Sequence, residues 1–196
     1  MGCCLLTGLI GAVDEAGRAP LAGPVVSSCV VWKGMPESRR NVKDSKLLSE
    51  KQRLELFPWI AEHAYAIGVG IATHKEIDKI NILRASLLSM ERAVQNACVR
   101  SPDLLLIDGN VGIKNFPNGK PIVKGDRKCF FIASASIIAK VVRDSIMEVY
   151  HHIYPRYNFK QHKGYPTKEH KKAIGDYGVL PIHRKTFRGV KEYCAK

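Results

Sequence analysis

The sequence has no stretch that is both long and apolar enough to cross a membrane. Residues 1–12 are apolar, but they are too few to span a bilayer, and neither a basic region nor a small-residue cleavage site accompanies them. A myristoylation signal is also incomplete, since Leu6 occupies the position where serine or threonine is required. We therefore expect a cytoplasmic protein that does not bind a membrane.

The cysteines lack the spacing of a zinc site. They form no C-x-x-C pair and no grouping with histidine at zinc-ligand spacing, which argues against a structural zinc centre. Reduced thiols in a cytoplasmic protein fit this distribution best. The six residues are Cys3, Cys4, Cys29, Cys98, Cys129 and Cys194.

Acidic residues are scarce beside basic ones. The 196 residues include 31 Lys and Arg but only 18 Asp and Glu, which gives a formal net charge of +13. A surface this basic favours a polyanionic partner, because neutralising phosphates releases counterions. Net charge alone does not establish such a partner, since some proteins are simply basic. With 45% hydrophobic residues, the chain is long enough for one domain with a real core.

Hydrophobic patterning predicts strands first and then strands interleaved with helices, which is typical of a mixed α/β sheet covered by helices. Apolar runs indicate strands at residues 5–13, 25–32, 65–72, 104–107 and 121–123. Helices are predicted from the caps Ser49 and Thr73, over 82–99 and 130–154, from Thr167 and after Thr186. Pro58 is expected to kink or shorten the first helix. We expect residues 1–160 to form the main domain and 161–196 a basic helical appendage of the same unit.

Four carboxylates occupy similar local settings. Asp14 and Glu15 follow an apolar run, Asp108 ends another, and Asp126 lies in a glycine turn just before a helix. Ligand sites gather at strand ends in open α/β sheets. Carboxylates brought together there would repel one another, and a divalent cation would relieve that repulsion. Oxygen ligands without nearby Cys or His suit Mg²⁺ or Mn²⁺ better than Zn²⁺.

Each of these acids also has a simpler explanation. A single Asp at a strand end is most often a cap or a turn former. Asp14 and Glu15 raise a further difficulty, because neighbours on a strand point to opposite faces. Both can reach one site only if the strand ends or bulges there, and Gly17 just after them is compatible with that. On the pattern alone, a metal site and a set of unrelated turn residues both stay open.

Short segments along the chain resemble the ribonuclease HII family from Gly11 to about Phe187. Each segment is brief, but their order and spacing together are highly specific. The matching segments are VDEAGR at 13–18, PLAGP at 20–24, DSKLLS at 44–49, NIL at 81–83, LIDGN at 106–110, VKGD at 123–126, IASASIIAKV at 132–141, QHKGY at 161–165 and PIHR at 181–184.

The resemblance implies an RNase H-like fold, with C-terminal helices that help to hold an RNA/DNA hybrid. It implies that the catalytic, metal-binding set is Asp14, Glu15, Asp108 and Asp126. One ion, Mn²⁺ or Mg²⁺, would activate a water and a second would stabilise the departing 3′ oxygen. The expected activity is endonucleolytic: it cuts the RNA strand of hybrids, and it cuts 5′ of ribonucleotides embedded in duplex DNA. The products would carry 3′-hydroxyl and 5′-phosphate ends, and we expect a monomer.

The resemblance also implies substrate-binding residues. The turn of Gly17, Arg18 and Ala19 matches the place where the family reads the ribose 2′-hydroxyl through backbone groups, the group that separates RNA from DNA. Tyr165 matches a tyrosine that stacks on the sugar at an RNA-to-DNA junction, although an ordinary packed tyrosine is the alternative. Ala19 departs from the family, which usually has glycine there. We expect backbone reading to survive, because a residue before proline prefers extended conformations that alanine adopts freely.

Basic side chains are candidate phosphate contacts, although for any single lysine a merely solvated position is the stronger expectation. Asp144 is expected to be structural, paired with a neighbouring base or backbone group, and His162 and His183 are expected to approach the substrate. The candidate phosphate contacts are Lys46, Lys124, Arg143, Lys163 and Arg184.

Two alternative functions stay open. Ribonuclease HIII has the same chemistry with a different junction preference, but it usually carries an extra N-terminal domain and a different turn after the Asp-Glu pair. The other alternative is a nucleic-acid-binding protein without catalysis on the same scaffold. The four carboxylates argue against a pure binder, because acids repel phosphate. A cleavage assay with and without a divalent ion distinguishes the two, because only the enzyme would cut, and only with the ion present.

Overall fold

The computed structural model describes residues 8–97 and 102–194. Its strands are β1 Leu9–Ala16, β2 Val25–Lys33, β3 Ala66–Ala72, β4 Leu104–Asp108 and β5 Lys120–Ile122. Its helices are α1 Glu50–His63, α2 His74–Ile80, α3 Ile82–Asn96, α4 Gly125–Lys128, α5 Phe130–Ile153, α6 Phe159–His162 and α7 Lys168–Tyr177. The predicted strand and helix residues at 5–7 and 98–99, and Cys3, Cys4 and Cys98, lie outside the described residues.

The five strands form one mixed sheet in the order β3-β2-β1-β4-β5. The pairs β1–β2 and β2–β3 are antiparallel, whereas β1–β4 and β4–β5 are parallel. Helices cover both faces, which confirms the predicted α/β architecture. Because β1 and β4 run side by side in the same direction, their carboxyl ends lie at the same edge of the sheet.

Alternation along β1 sends its side chains into two different cores. Ile10 and Ala12 pack with α1 and α5 on one face, whereas Leu9 and Val13 pack with α3 on the other. The second face depends on a glycine in β3, because a Cβ at Gly70 would run into the backbone of α3. The central strand is therefore buried on both sides, and its end is held rigidly between α3 and α5.

The helix starts predicted from capping residues are confirmed. The Ser49 hydroxyl accepts the backbone N–H of Gln52 at 3.2 Å, and the Gln52 side chain accepts the N–H of Ser49 at 2.9 Å. Thr73 forms the same reciprocal box at the start of α2. Pro58 lies inside α1 but does not end it, since the helix continues to His63. Among the described residues, no helix combines the length and the apolar character that crossing a bilayer requires.

The C-terminal residues pack against α5 and against the loop that follows β1. Their cluster joins Leu21 and Ala22 of that loop to Met147 of α5, Phe159 of α6 and Ile174 of α7. The helix predicted after Thr186 is wrong, because this stretch forms turns and one short 3-10 turn at Lys191–Tyr193. The carboxylate of Asp78 accepts the backbone N–H groups of Lys185 and Thr186 and the Thr186 hydroxyl. The hydroxyl of Thr186 thus binds a distant carboxylate and does not cap a helix.

Candidate active site

Three of the four predicted carboxylates meet at the carboxyl edge of the sheet. Asp14 lies near the end of β1, Asp108 is the last residue of β4, and Asp126 lies in α4. Each offers one carboxylate oxygen, and these oxygens all lie within 4.8 Å of one another. The parallel pairing of β1 with β4 brings the first two together, and the turn after β5 adds the third.

Backbone donors hold two of these carboxylates in place. Asp14 accepts the N–H of Glu15 at 2.7 Å. Asp108 accepts the N–H of Gly125 at 2.7 Å and that of Asp126 at 3.3 Å, which ties β4 to the start of α4. Lys124, just before α4, adopts a left-handed conformation (φ +57°) that turns the chain sharply here. Backbone N–H groups at the sheet edge therefore fix the orientation of the Asp14 and Asp108 carboxylates.

The electrostatics of the cluster favour a bound cation. Burial raises the pKa of Asp14 well above its ordinary value, and the nearby charges of Glu15 and Asp108 raise it further. Burial and the charge of Asp126 likewise raise the pKa of Asp108. Charged oxygens held this close are poorly compensated by protein alone, and the set contains only oxygen donors. These residues fit a hard divalent ion such as Mg²⁺ or Mn²⁺.

Glu15 lies beside this cluster, but its carboxylate is not among the oxygens that lie within 4.8 Å of one another. β1 pairs with β2 without interruption through Glu15 and Ala16, so Glu15 points to the face opposite Asp14. There it lines a small cavity with Asp108 and Met90, and its carboxylate lies 3.4 Å from the Arg18 guanidinium. Burial raises the pKa of Glu15 and the charge of Asp108 adds to this, while Arg18 opposes it. The catalytic role expected for Glu15 stays a prediction.

Lys46 is a basic side chain that contacts the cluster. Its ammonium lies 3.3 Å from the carboxylate of Asp126, and its side chain is 70% exposed. Burial lowers the pKa of Lys46, but the charges of Asp126, Asp14 and Asp44 outweigh that effect and raise it overall. A cation at this position can meet a phosphate at the cluster.

Two residues that support the cluster were missed from the sequence. Asp44 is fully buried; its carboxylate accepts the N–H of Lys46 at 2.9 Å and the side chain of Arg127 at 3.2 Å. The Ser136 hydroxyl bonds to that of Ser45 at 2.8 Å, and it also lowers the pKa of Asp14 by hydrogen bonding. Both residues lie within segments that carry the family resemblance, Asp44 in DSKLLS and Ser136 in IASASIIAKV, so those segments are the signal that could have identified them.

The loop after β1 is held by buried arginines. Arg184 donates to the carbonyl oxygens of Gly17 at 2.6 Å, Arg18 at 2.9 Å and Gly23 at 3.0 Å. Arg143 donates to three further carbonyl groups, among them that of Lys163 at 3.1 Å. Both arginines are fully buried, so the phosphate contacts predicted for them are wrong. Their donors are consumed by carbonyls that would otherwise lie in the interior without partners.

The turn expected to read the sugar has a conformation that depends on Gly17. Gly17 has φ +102°, and a Cβ on it would collide with the side chain of Arg143. Ala19 is exposed and is not among the residues with positive φ. Alanine therefore introduces no backbone strain at the position where the family usually has glycine.

Tyr165 lies at the surface beside this loop. Its side chain is 37% exposed, and its ring lies 5.8 Å from the ammonium of Lys140 and 5.9 Å from the guanidinium of Arg143. The nearby Lys163 ammonium lies 3.5 Å from Glu50, and only 12% of the Lys163 side chain is exposed. The ring of Tyr165 thus packs against the partly exposed Lys140 and the buried Arg143, and part of the residue stays accessible to solvent.

The structural role expected for Asp144 is confirmed. Its carboxylate accepts Lys140 at 2.7 Å and lies 3.9 Å from the guanidinium of Arg53. The expectation that His162 and His183 approach the substrate is wrong, because both are buried under the Tyr165 loop. Apolar and aromatic neighbours in the C-terminal cluster exclude them from the surface.

Comparison with known proteins gives consistent results. The sequence model of a family described as ribonuclease HII matches residues 10–190. The chain is 54% identical over 180 residues to a ribonuclease HII of Clostridioides difficile (strain 630), covering 91% of this chain and 69% of that protein. Among solved structures, the ribonuclease H2 of Pyrococcus horikoshii OT3 is 27% identical with a TM-score of 0.74, covering 94% and 96% of the two chains. The structure of Bst-RNase HIII in complex with Mn²⁺ is 17% identical with a TM-score of 0.69. The match covers 96% of this chain and 70% of the other, and it shows that the two share a fold.

Proposed function

This chain belongs to the ribonuclease HII family and is a ribonuclease H, and on that premise we propose that it cuts the RNA strand at a divalent-metal site made by Asp14, Asp108 and Asp126. The observation that carries the proposal is the approach of three carboxylate oxygens to within 4.8 Å of one another on a strongly basic protein. A protein that merely binds nucleic acid gains nothing from acids clustered against phosphate.

Divalent ions bound by these carboxylates would supply the positive charge that polarises a scissile phosphate and makes water a better nucleophile. The protein's own groups then orient the substrate around them. The exposed ammonium of Lys46, 3.3 Å from Asp126, is positioned to hold a phosphate oxygen at the cluster. Glu15 is the proposed fourth ligand, since it shares the surroundings of Asp108 on the other side of the strand. We propose two ions, either Mn²⁺ or Mg²⁺, and products with 3′-hydroxyl and 5′-phosphate ends.

We further propose that the enzyme cuts 5′ of ribonucleotides embedded in duplex DNA. The turn of Gly17, Arg18 and Ala19 directly follows the strand that bears Asp14, so a sugar bound there would lie next to the cluster. Support comes from the rigidity of this turn, because Arg184 binds the carbonyls of Gly17 and Arg18. The exposed ring of Tyr165 offers a surface on which a sugar or base can stack.

The remaining residues would extend the duplex-binding surface. We propose that residues 161–196 serve as a basic appendage of the catalytic domain at 1–160 and hold the duplex beyond the cut. Exposed cations around the site suit this role because phosphate contacts need no particular sequence. With Arg143 and Arg184 buried, we assign phosphate binding to Lys46 and Lys124.

The experiment replaces Asp108 by Asn and measures cleavage of labelled duplexes, one with a single embedded ribonucleotide and one with a long hybrid. We expect the Asp108→Asn variant to lose nearly all cutting while still binding the hybrid, because the substitution removes a charge from the cluster but keeps its shape. Asp103→Asn is the matched control: Asp103 lies just before the other end of the same strand, and its side chain accepts the N–H of Leu9. The control should cut normally.

Two outcomes would contradict the proposal. Robust cleavage by Asp108→Asn would exclude the assigned site. Duplex binding by the wild-type protein without cutting in Mg²⁺ or Mn²⁺, or cutting that persists in EDTA, would exclude metal-dependent hydrolysis and favour a binding protein.

A further inference from the structure

Three buried histidines lie directly beneath the loop that carries Tyr165. His162 belongs to α6, His170 to α7, and His183 to the segment after α7. The rings of His162 and His170 stack with their centroids 4.5 Å apart, and those of His170 and His183 lie 5.2 Å apart. None of the three contacts the carboxylate cluster in the hydrogen bonds of the described residues, so the proposed chemistry does not use them.

The hydrogen bonds that link two of these rings form a series in which every bond donates in the same direction. The backbone N–H of Leu180 can only donate, and it lies 2.8 Å from Nδ1 of His183. That nitrogen must therefore carry a lone pair, which places the proton of a neutral His183 on Nε2. This proton points to Nε2 of His170 at 3.0 Å. His170 in turn must carry its proton on Nδ1, where it is donated to the carbonyl oxygen of Tyr165 at 3.0 Å.

His162 completes the arrangement without belonging to the chain. Its Nδ1 accepts the N–H of Gly164 at 3.2 Å, so its Nε2 carries the proton donated to the carbonyl of Tyr157 at 2.7 Å. Burial lowers the pKa of His170 to about 4 and, with the neighbouring His170, that of His183 to about 3. All three rings are therefore neutral at physiological pH, as the hydrogen-bond directions require.

The chain of histidines connects the two elements assigned to substrate binding. At one end, the backbone of His183 pairs with Ala22 in the loop after β1. The N–H of Arg184 donates to the carbonyl of Leu21 at 2.8 Å, and the N–H of Leu21 donates to the carbonyl of Gly164 at 2.8 Å. At the other end, the chain terminates on the backbone of Tyr165. A buried polar network thus fixes the separation between Tyr165 and the loop that begins with the turn proposed to read the sugar.

We propose that His183 and His170 act as positioning residues, forming a hydrogen-bond relay that sets Tyr165 against the ribose at the site of cutting. The proposal rests on the proposed function, since it assumes that Tyr165 contacts the substrate. The relay acts on binding of the embedded ribonucleotide and leaves the carboxylate cluster untouched. Its loss changes KM much more than kcat.

Two substitutions at one position separate positioning from general stability. An Asn side chain places an amide N–H near the position of histidine Nδ1, so His170→Asn keeps the bond to Tyr165 and loses the one to His183. A Gln side chain reaches the position of Nε2 instead, so His170→Gln keeps the bond to His183 and loses the one to Tyr165. Each variant removes one hydrogen bond from a buried site. His152→Gln, at an exposed position near the end of α5, is the matched control.

We expect His170→Gln to raise KM about tenfold for a duplex with one embedded ribonucleotide, within the range that loss of one aromatic stacking contact produces. KM for a long hybrid should rise less, and kcat should stay within about twofold of wild type. His170→Asn keeps the bond to Tyr165 and breaks only the link to His183, so it should raise KM by less than His170→Gln does; a wild-type KM for His170→Asn would exclude His183 from the relay. His152→Gln should cut like wild type. In a Tyr165→Ala background, His170→Gln should add nothing further, because the residue it positions is gone.

Equal KM values for the Asn and Gln variants would overturn the relay, as would full additivity with Tyr165→Ala or a Tyr165→Ala enzyme with unchanged KM. Nitrogen-15 spectra of the histidines in the wild-type protein test the relay without any cleavage. They should report a neutral His183 protonated on Nε2 and a neutral His170 protonated on Nδ1, and any other pair of tautomers would refute it. Failure of the wild-type enzyme to cut would refute the proposed function instead, so the two failures are distinguishable.

Discussion

Lowering the pH from 7 to 5 should destabilise this protein through its buried histidines. His170 and His183 have pKa values of about 4 and about 3 in the folded protein, against 6.5 for an exposed histidine. Below pH 6.5 the unfolded chain therefore binds protons that the folded protein excludes, so the free energy of unfolding falls as the pH falls. The loss continues until the pH passes below the folded pKa values. Stability from these groups is complete above pH 6.5.

The expected loss of stability is a large fraction of the total stability of a domain. One pKa unit corresponds to about 1.4 kcal/mol, so at pH 5 each histidine costs about 2 kcal/mol and the pair about 4 kcal/mol. A domain of this kind is stable by about 5–15 kcal/mol in total. The carboxylates of the cluster work in the opposite direction: burial and mutual repulsion raise the pKa values of Asp14 and Asp108, so their protonation in acid relieves repulsion in the folded protein. The histidine contribution must therefore be isolated by comparison with a variant.

Urea unfolding at pH 7 and pH 5, in EDTA, of the wild type and of a His170→Asn/His183→Asn double variant makes that comparison. The double variant starts from a lower stability, but the quantity of interest is its change between the two pH values. The wild type should lose about 4 kcal/mol more than the double variant over this interval. His152→Gln, which removes an exposed histidine, should leave the pH dependence unchanged. Equal losses in the wild type and the double variant would refute neutral burial of the two rings.

Two further predictions concern the loop after β1. Arg184→Lys should lower the free energy of unfolding, measured by urea denaturation, by about 3 kcal/mol. The reason is that an ammonium cannot donate at once to the separated carbonyl groups that the guanidinium binds. An unchanged urea midpoint would contradict this. Ala19→Gly should change cleavage at a single embedded ribonucleotide by less than about tenfold, since Ala19 is exposed and free of positive φ. A gain of several orders of magnitude would show that the alanine blocks the sugar.

Local signals in the sequence were sufficient for most of the elements. The apolar runs predicted the five strands, and the boxes at Ser49 and Thr73 predicted two helix starts, because a strand face and a cap each depend on residues close in the chain. The pattern alone left open whether Asp14, Asp108 and Asp126 meet, and the family resemblance is what implied that they do. Their approach depends on the parallel pairing of β1 with β4 and on the turn before α4.

Side chains whose partners are distant in sequence were not predictable in this way. Arg143 and Arg184 look like any other basic residue until the loop they bind is folded over them. The separation of Glu15 from the three aspartates depends on an uninterrupted strand register, which only the pairing with β2 determines. The turns that replace a helix after Thr186 depend on a carboxylate from α2. Sequence patterning thus determined the strands and most of the helices, because these depend on residues close in the chain. Tertiary packing alone decided which side chains are buried and which donors are already used by distant carbonyl groups, because those partners meet only in the folded protein.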